Sequence, residues 1–370
     1  METTEKSVNL ENFLLKFDYF NLSVTIKGYD KYYKIDEHLI IPGYINGLQI
    51  KKIGKAAFDL YYKIKKITIE KGVNIIEPYA FFGCKNLTEI ELPEGLLEIK
   101  KGAFFGCKKL EKIQFPESVL RISKLAFADC EKLTSVFIPK KVISLSSQTF
   151  LGCNKLKEII VDNENLEYSS LDGVLFNEAK TVLVEYPAGK KDKNYTIPNT
   201  VIDIELGAFF DRKKLVTIIL PAKLSGLPQY VFLGCDKIEQ IILQDDNPRF
   251  MTMDGVLFDK ERKTLIFYPH GKKETEYVIP EGVERIKEGV FKDCKNIENI
   301  IFPESLKMIE RMAFWGCENL TSIILPKNLK GICNHAFYSC QRLEKVTLSR
   351  KTRIGRKAFE DFKGQFIYLD

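Results

Sequence analysis

The chain has 370 residues, 45% of them apolar and 29% charged, with a formal net charge of +6. That apolar share excludes a disordered chain, which lacks side chains to bury. The mild charge gives no electrostatic case for nucleic acid or a membrane surface, and no uncharged apolar run approaches the roughly 18 residues of a spanning helix.

From the N-terminus, Ser7 to Phe17 places Leu10, Phe13, Leu14 and Phe17 at helical spacing. A short helix is predicted there, within a cap over residues 1–38 (short helix and strands) that covers the open core of the first repeat unit.

A repeat then takes over. A Phe, usually preceded by Ala, recurs every 23 residues at Phe58, Phe81, Phe104, Phe127 and Phe150. It resumes at Phe209 and Phe232, then at Phe291, Phe314 and Phe337, and ends at Phe359. Five residues before each stands an aliphatic (Ile53, Ile76, Ile99, through Ile354), and three after it stands Cys in eight copies. An alternating triplet such as Ile90-Glu91-Leu92 follows, often closed by Pro. Alternation of period two reads as a short strand, and Pro ends it because it has no N–H for the ladder. The Ala-Phe segment, bounded by Gly83, Gly106, Asp129 or Gly152, is predicted as a short helical or 3-10 turn on the return limb. So short a unit has no interior of its own, so successive units must stack. The repeats span residues 39–350, and the triplets are predicted to form one parallel sheet on the concave face.

Two long units interrupt the period, near 162–198 and 244–280. In each, Asp-Gly-Val-Leu-Phe (from Asp172 and Asp254) precedes a polar turn and a second apolar run, Thr181 to Tyr186 and Thr264 to Tyr268. Two runs joined by a polar turn predict a β-hairpin. Tyr-x-Ile-Pro, at Tyr195 and Tyr277, then supplies the sheet strand. Residues 351–370 form a C-terminal cap repeat in which Phe362, Phe366 and Ile367 are expected to close the stack.

The nine Cys give no zinc spacing, and an odd ladder of inward positions predicts free thiols. Cys333 stands off the ladder, two residues before His335. Both fall in a variable stretch with no orienting third group, so a nucleophilic pair is not expected. His38 and His270 sit in different units without a ligand set, and no phosphate-binding Gly loop appears. No metal site, cofactor or catalytic residue is predicted. Lys190-Lys191, Lys272-Lys273 and Arg212-Lys213-Lys214 each have acidic neighbours and read as solvated edges rather than a nucleic-acid stripe.

The informative departure lies on the strands. The middle residue of each triplet points out of the sheet. The column begins polar (Thr68, Glu91, Gln114), turns apolar at Phe137 and Ile160, passes Thr196, and continues as Ile219, Ile242, Val278, Ile301 and Ile324 before Thr347. A ligand-binding stripe is predicted at Phe137, Ile160, Ile219, Ile242, Val278, Ile301 and Ile324. A second column just after the repeat Phe (Phe82, Phe105, Leu151, Phe210, Leu233, Trp315, Tyr338) reads as core or rim.

The unit from Cys84 to Phe104, Cys-x-x-Leu-x-x-Ile-x-Leu-Pro-x-x-Leu-x-x-Ile-x-x-x-Ala-Phe, resembles the BspA-type leucine-rich repeat, and the Asp-Gly-Val-Leu-Phe units resemble that family's long variant. The resemblance covers about residues 20 to 370. It implies a right-handed leucine-rich-repeat solenoid without catalytic activity, binding a protein ligand such as a host matrix or surface protein. It also implies cell adhesion at a cell surface. The polar opening Met1 to Lys6 and the terminal Ile367 to Asp370 carry no recognisable export signal or anchor, which reads as cytoplasmic. A monomer is expected, with no membrane insertion. The second reading is an intracellular scaffold.

Overall fold

The computed structural model describes residues 12–18, 23–29 and 36–369; Ser7 and Leu10 lie outside them. It is a parallel β-solenoid, divided into two compact units, Met1–Lys191 with Ile204–Asp211, and Asp192–Asp203 with Arg212–Asp370.

The triplets form the strands their alternation predicts. In the first unit Lys66–Ile69 pairs in parallel with Glu89–Glu91, and Ser135–Ile138 with Glu158–Val161. In the second, Asn194–Thr196, Thr217–Leu220 and Gln240–Leu243 make one sheet. Glu276–Val278, Asn299–Ile301, Ser322–Ile324, Lys345–Leu348 and Gln365–Tyr368 make another. In most coils the aliphatic five residues before the Phe ends a two-residue strand, such as Ile75–Ile76, Glu98–Ile99 and Arg121–Ile122, paired in parallel on the return limb, whereas Ile53 ends the longer strand Leu48–Ile53 and Leu227 lies outside any strand.

Stacking sets the interior. Phe81 and Phe104 lie 5.1 Å apart, tilted by 8°, and Phe104 and Phe127 lie 5.2 Å apart. In the second unit Phe291, Phe314 and Phe337 follow at 4.9 and 4.8 Å. These steps match the lateral spacing of strands, so one ring per coil fills one layer. Eight Cys are buried, and all nine are free thiols. Cys84 Sγ donates to the Phe58 carbonyl at 3.2 Å and Cys317 Sγ to that of Phe291 at 3.1 Å, each in the preceding coil.

The Ala-Phe segments are turns rather than helix. Around Phe81, the amides of Ala80, Phe82 and Cys84 bond three residues back, while those of Tyr79, Phe81 and Gly83 bond across to Lys101, Ala103 and Phe105. A helix turns every amide along its own axis. Here half of them are needed to tie each coil to the next. The change of direction falls on left-handed residues two before and two after the Phe, as at Tyr79 and Gly83.

The predicted N-terminal helix is also corrected. Phe13–Asp18 is a strand, antiparallel to Ser23–Tyr29. Phe13, Leu15 and Phe17 carry a period of two as well as Leu10, Phe13, Leu14 and Phe17 carry one near 3.6, and the open sheet edge selects the strand. Phe13 still caps the stack, edge-on to Phe58 at 6.3 Å. At the other end Phe362 and Phe366 close over Phe359 at 6.0 and 5.4 Å. Ile367 does not; it faces outward opposite Thr347.

Each long unit is a three-stranded meander, one strand more than expected. Tyr168–Leu171 turns through Asp172-Gly173 into Val174–Asn177, which pairs with Val182–Glu185. Phe250–Met253, Val256–Asp259 and Thr264–Phe267 repeat the pattern. Tyr186 and Tyr268 then take the ladder position, facing Phe209 at 5.5 Å and Phe291 at 4.8 Å.

Candidate recognition face

The outward column follows from strand alternation. Val136 and Ile138 are buried while Phe137 between them is exposed, and Ile300 and Phe302 bracket the exposed Ile301 in the same way. The predicted stripe residues do point outward: Phe137, Ile160, Ile242, Val278, Ile301 and Ile324 are exposed, the last at 69%, while Ile219 is half-buried. Register aligns Phe137 with Ile160, Ile219 with Ile242, and Val278 with Ile301.

The stripe is not one continuous run. The Asp172-Gly173 tip docks on the free edge of Glu158–Val161, where Ile159 N–H donates to the Gly173 carbonyl at 2.9 Å. The Asp254-Gly255 tip does the same to Gln240–Leu243, with Ile241 N–H to Gly255 at 2.9 Å. Each tip thereby occupies the edge of its strand, so the apolar column ends at Ile160 in the first unit and breaks after Ile242 in the second. Within the second unit this leaves two patches, Ile219 with Ile242, and Val278 with Ile301 and Ile324.

Each meander is anchored by residues whose role the sequence did not show, an Asn at its start and a Lys at its tip. Asn165 is buried; its Nδ2 donates to the carbonyls of Pro139 and Val142, and its Oδ1 accepts from the amides of Glu167 and Tyr168. Asn247 repeats this toward Pro221, Leu224, Arg249 and Phe250. In both units the Asn stands seven residues before the Asp of the tip, a shared spacing that could have revealed it. Lys190 and Lys272 donate to the carbonyls of Asp172 and Asp254, so part of each basic pair clamps the tip instead of only facing solvent.

The polar end of the column lies in the first unit. Lys66 Nζ reaches Glu91 at 2.6 Å and Glu89 at 3.0 Å. Thr68 Oγ1 donates to Glu91 at 2.9 Å and lies 2.9 Å from His38 Nε2. Hydrogen bonds from Lys66 and then Thr68 hold the Glu91 carboxyl below the usual carboxylate range.

Cys333 and His335 face different neighbours. Cys333 Sγ lies 3.9 Å from Met308 Sδ, and burial pushes its thiol up, away from an activated thiolate. His335 packs beside Trp315 and Tyr338 at 6.0 and 5.8 Å. The column after the repeat Phe is half-buried at Phe82, Phe105, Trp315 and Tyr338, with Trp315 and Tyr338 in contact at 4.7 Å. Among the described residues no group of three metal-ligating side chains converges, and no helix is long and apolar enough to cross a membrane.

The BspA type leucine rich repeat region model matches this chain in six copies, over residues 51–177, 188–255 and 265–369. The chain belongs to the BspA-type leucine-rich repeat family. No curated protein matches it. Among solved structures it is similar to a leucine rich cell surface protein of Faecalibacterium prausnitzii, at 22% identity and TM-score 0.60, covering 97% of this chain and 93% of that one. A leucine-rich repeat protein of Eubacterium ventriosum follows at 22% identity and TM-score 0.58, over 86% and 90% of the two chains. The pneumococcal vaccine antigen PcpA shares 21% identity at TM-score 0.50, over 95% and 85%. At these identities the likeness establishes the BspA-type solenoid fold, which the Phe and Cys ladders build here.

Proposed function

We propose that this BspA-type solenoid recognises a protein ligand on the outward face of its strands, without catalysis, in an adhesion or host-interaction setting. The observation that carries the reading is the patch Val278, Ile301 and Ile324: three exposed aliphatics on adjacent strands whose flanking residues are already committed to the core. Burying such side chains against a partner gains about 1.5–3 kcal/mol each, and interface cores draw most of their affinity from a few such anchors. The family resemblance supports the adhesion setting.

The test replaces Ile301 and Ile324 with Asp. Both face solvent, so the circular dichroism spectrum and melting temperature stay near those of the parent, while partner capture from host lysate falls by at least about tenfold. Undiminished capture would discard the stripe. The nine unpaired thiols favour a second reading, an intracellular scaffold, because a reducing compartment keeps thiols free. Fractionation separates the two, since a purely cytosolic protein ends the adhesion reading.

A further inference from the structure

On the return limb of the second unit, the residues six before the repeat Phe pair in register across four coils, as Arg285, Met308, Gly331 and Arg353. Gly331 alone brings no side chain to this column. Its φ lies outside the left-handed region, so the backbone does not demand glycine. A Cβ there would meet the flexible end of Met308, with Sδ at 3.3 Å, and touch the Arg353 carbonyl oxygen at an ordinary 3.7 Å. The missing side chain coincides with a cleft of about 720 Å³ whose lining includes Gly331 and Gly355 together with Arg311, Lys330, Lys351 and Arg353. That volume falls within the range of small-molecule sites.

The basic side chains around this cleft are paired less closely than those of the neighbouring coils, with Glu284 in electrostatic range of Lys330 and with Glu310 and Glu288 in range of the cleft's Cys333. In neighbouring coils Arg285 pairs with Glu310 at 2.9 Å and Lys307 with Glu284 at 2.8 Å. Among the described residues, Lys330, Lys351 and Arg353 have no carboxylate within 4.0 Å. Arg311 reaches Glu288 only at 3.8 Å. Of the five basic residues from Arg350 to Lys357, Lys351 and Arg353 line the cleft, while Lys357 pairs with Glu360 at 2.7 Å. Convergent cations in a concavity raise the local positive potential, and Arg offers a planar fork that matches tetrahedral oxyanions. No aromatic ring lines the cleft, so the stacking platform that single-stranded nucleic acid uses is missing.

We propose that this cleft binds a small, sugar-sized molecule carrying a phosphate or sulfate ester, with Lys330, Lys351 and Arg353 on the oxyanion and the space left by Gly331 taking the body of the ligand. The site is separate from the outward strand face and does not depend on it.

Calorimetry on the full chain at ~50 mM salt, where screening is modest, tests it with glucose 6-phosphate, glucose 6-sulfate and glucose. The expected result is saturable one-to-one binding of at least one ester and none of glucose; the tighter ester identifies the source. Lys351→Met with Arg353→Leu, both exposed, removes two charged hydrogen-bond donors and weakens binding at least about tenfold. Gly331→Leu leaves the charge unchanged, fills the cleft and weakens binding comparably. Absence of binding by both esters at millimolar concentration overturns the proposal. So does full binding by the double variant, or by a folded Gly331→Leu protein, which would reduce the cleft to unselective attraction.

Discussion

Phe104 sits between Phe81 and Phe127, fully buried, with a ring on each face. Phe104→Ala removes contacts to both neighbouring coils at once, and a loss of about 3–5 kcal/mol is expected from urea unfolding. Tyr268 occupies the second unit's ladder with a buried hydroxyl that has no hydrogen-bond partner among the described residues. Tyr268→Phe is therefore expected to raise the unfolding free energy by about 1 kcal/mol, the reverse of the usual direction for a core substitution. The thiol ladder titrates in a definite sense. Burial pushes Cys84, Cys294 and Cys340 up to about 12, while in the unfolded chain they ionise near the ordinary thiol value. The folded state then holds protons that the unfolded state releases. Stability is full below about pH 8.5 and declines above it, by roughly 1.4 kcal/mol per thiol for each further pH unit until the folded value is reached. Urea midpoints measured from pH 8 to 10 should fall, and Cys84→Ala should make the slope shallower. Alkylation at neutral pH should label Cys333 in the native protein and all nine thiols after denaturation.

At the scale of single elements, the two meanders differ most from their sequence reading. Asp-Gly flanked by apolar runs signals a two-residue hairpin turn, and Asp172 and Gly173 take the positive φ values, 50° and 77°, that such a turn needs. Tyr168–Leu171 and Phe250–Met253 escape notice because Tyr-Ser-Ser-Leu and Phe-Met-Thr-Met do not alternate apolar with polar residues. A Cβ at Gly173 would stand 2.7 Å from Cβ of Glu158, so tip and strand edge are fitted to each other. Asn247→Ala removes a side chain that satisfies several buried backbone groups. It should cost about 2–4 kcal/mol and speed hydrogen exchange at the Ile241 amide, which rests on the tip carbonyl. The N-terminal segment shows the complementary lesson. Its apolar residues satisfy two periods, and only the exposed sheet edge of Ser23–Tyr29, a tertiary fact, decides between them.

For the whole molecule, repeat spacing carried nearly all of the architecture. Phe and Cys recur because each needs a copy of itself one coil away, so their period in sequence is the period in space. The outward column was legible for the same reason, since alternation within a triplet separates Ile301 from its buried neighbours. Its breaks were not legible, because they arise where Gly173 and Gly255 fold back onto the strand edges at Ile159 and Ile241, a docking that no local pattern announces. The basic cleft was hidden too, since Arg311, Lys330 and Arg353 come together only when three coils are laid side by side. What remains central is that no coil has an interior apart from its neighbours. The most direct test deletes one whole period, residues 105–127, so that Phe104 meets Phe150, and compares it with a deletion of about half a period. The whole-period deletion should still unfold in one cooperative transition, with a melting temperature within about 10 °C of the parent, whereas the half-period deletion should abolish folding of the first unit. Equal damage from both deletions would contradict the account.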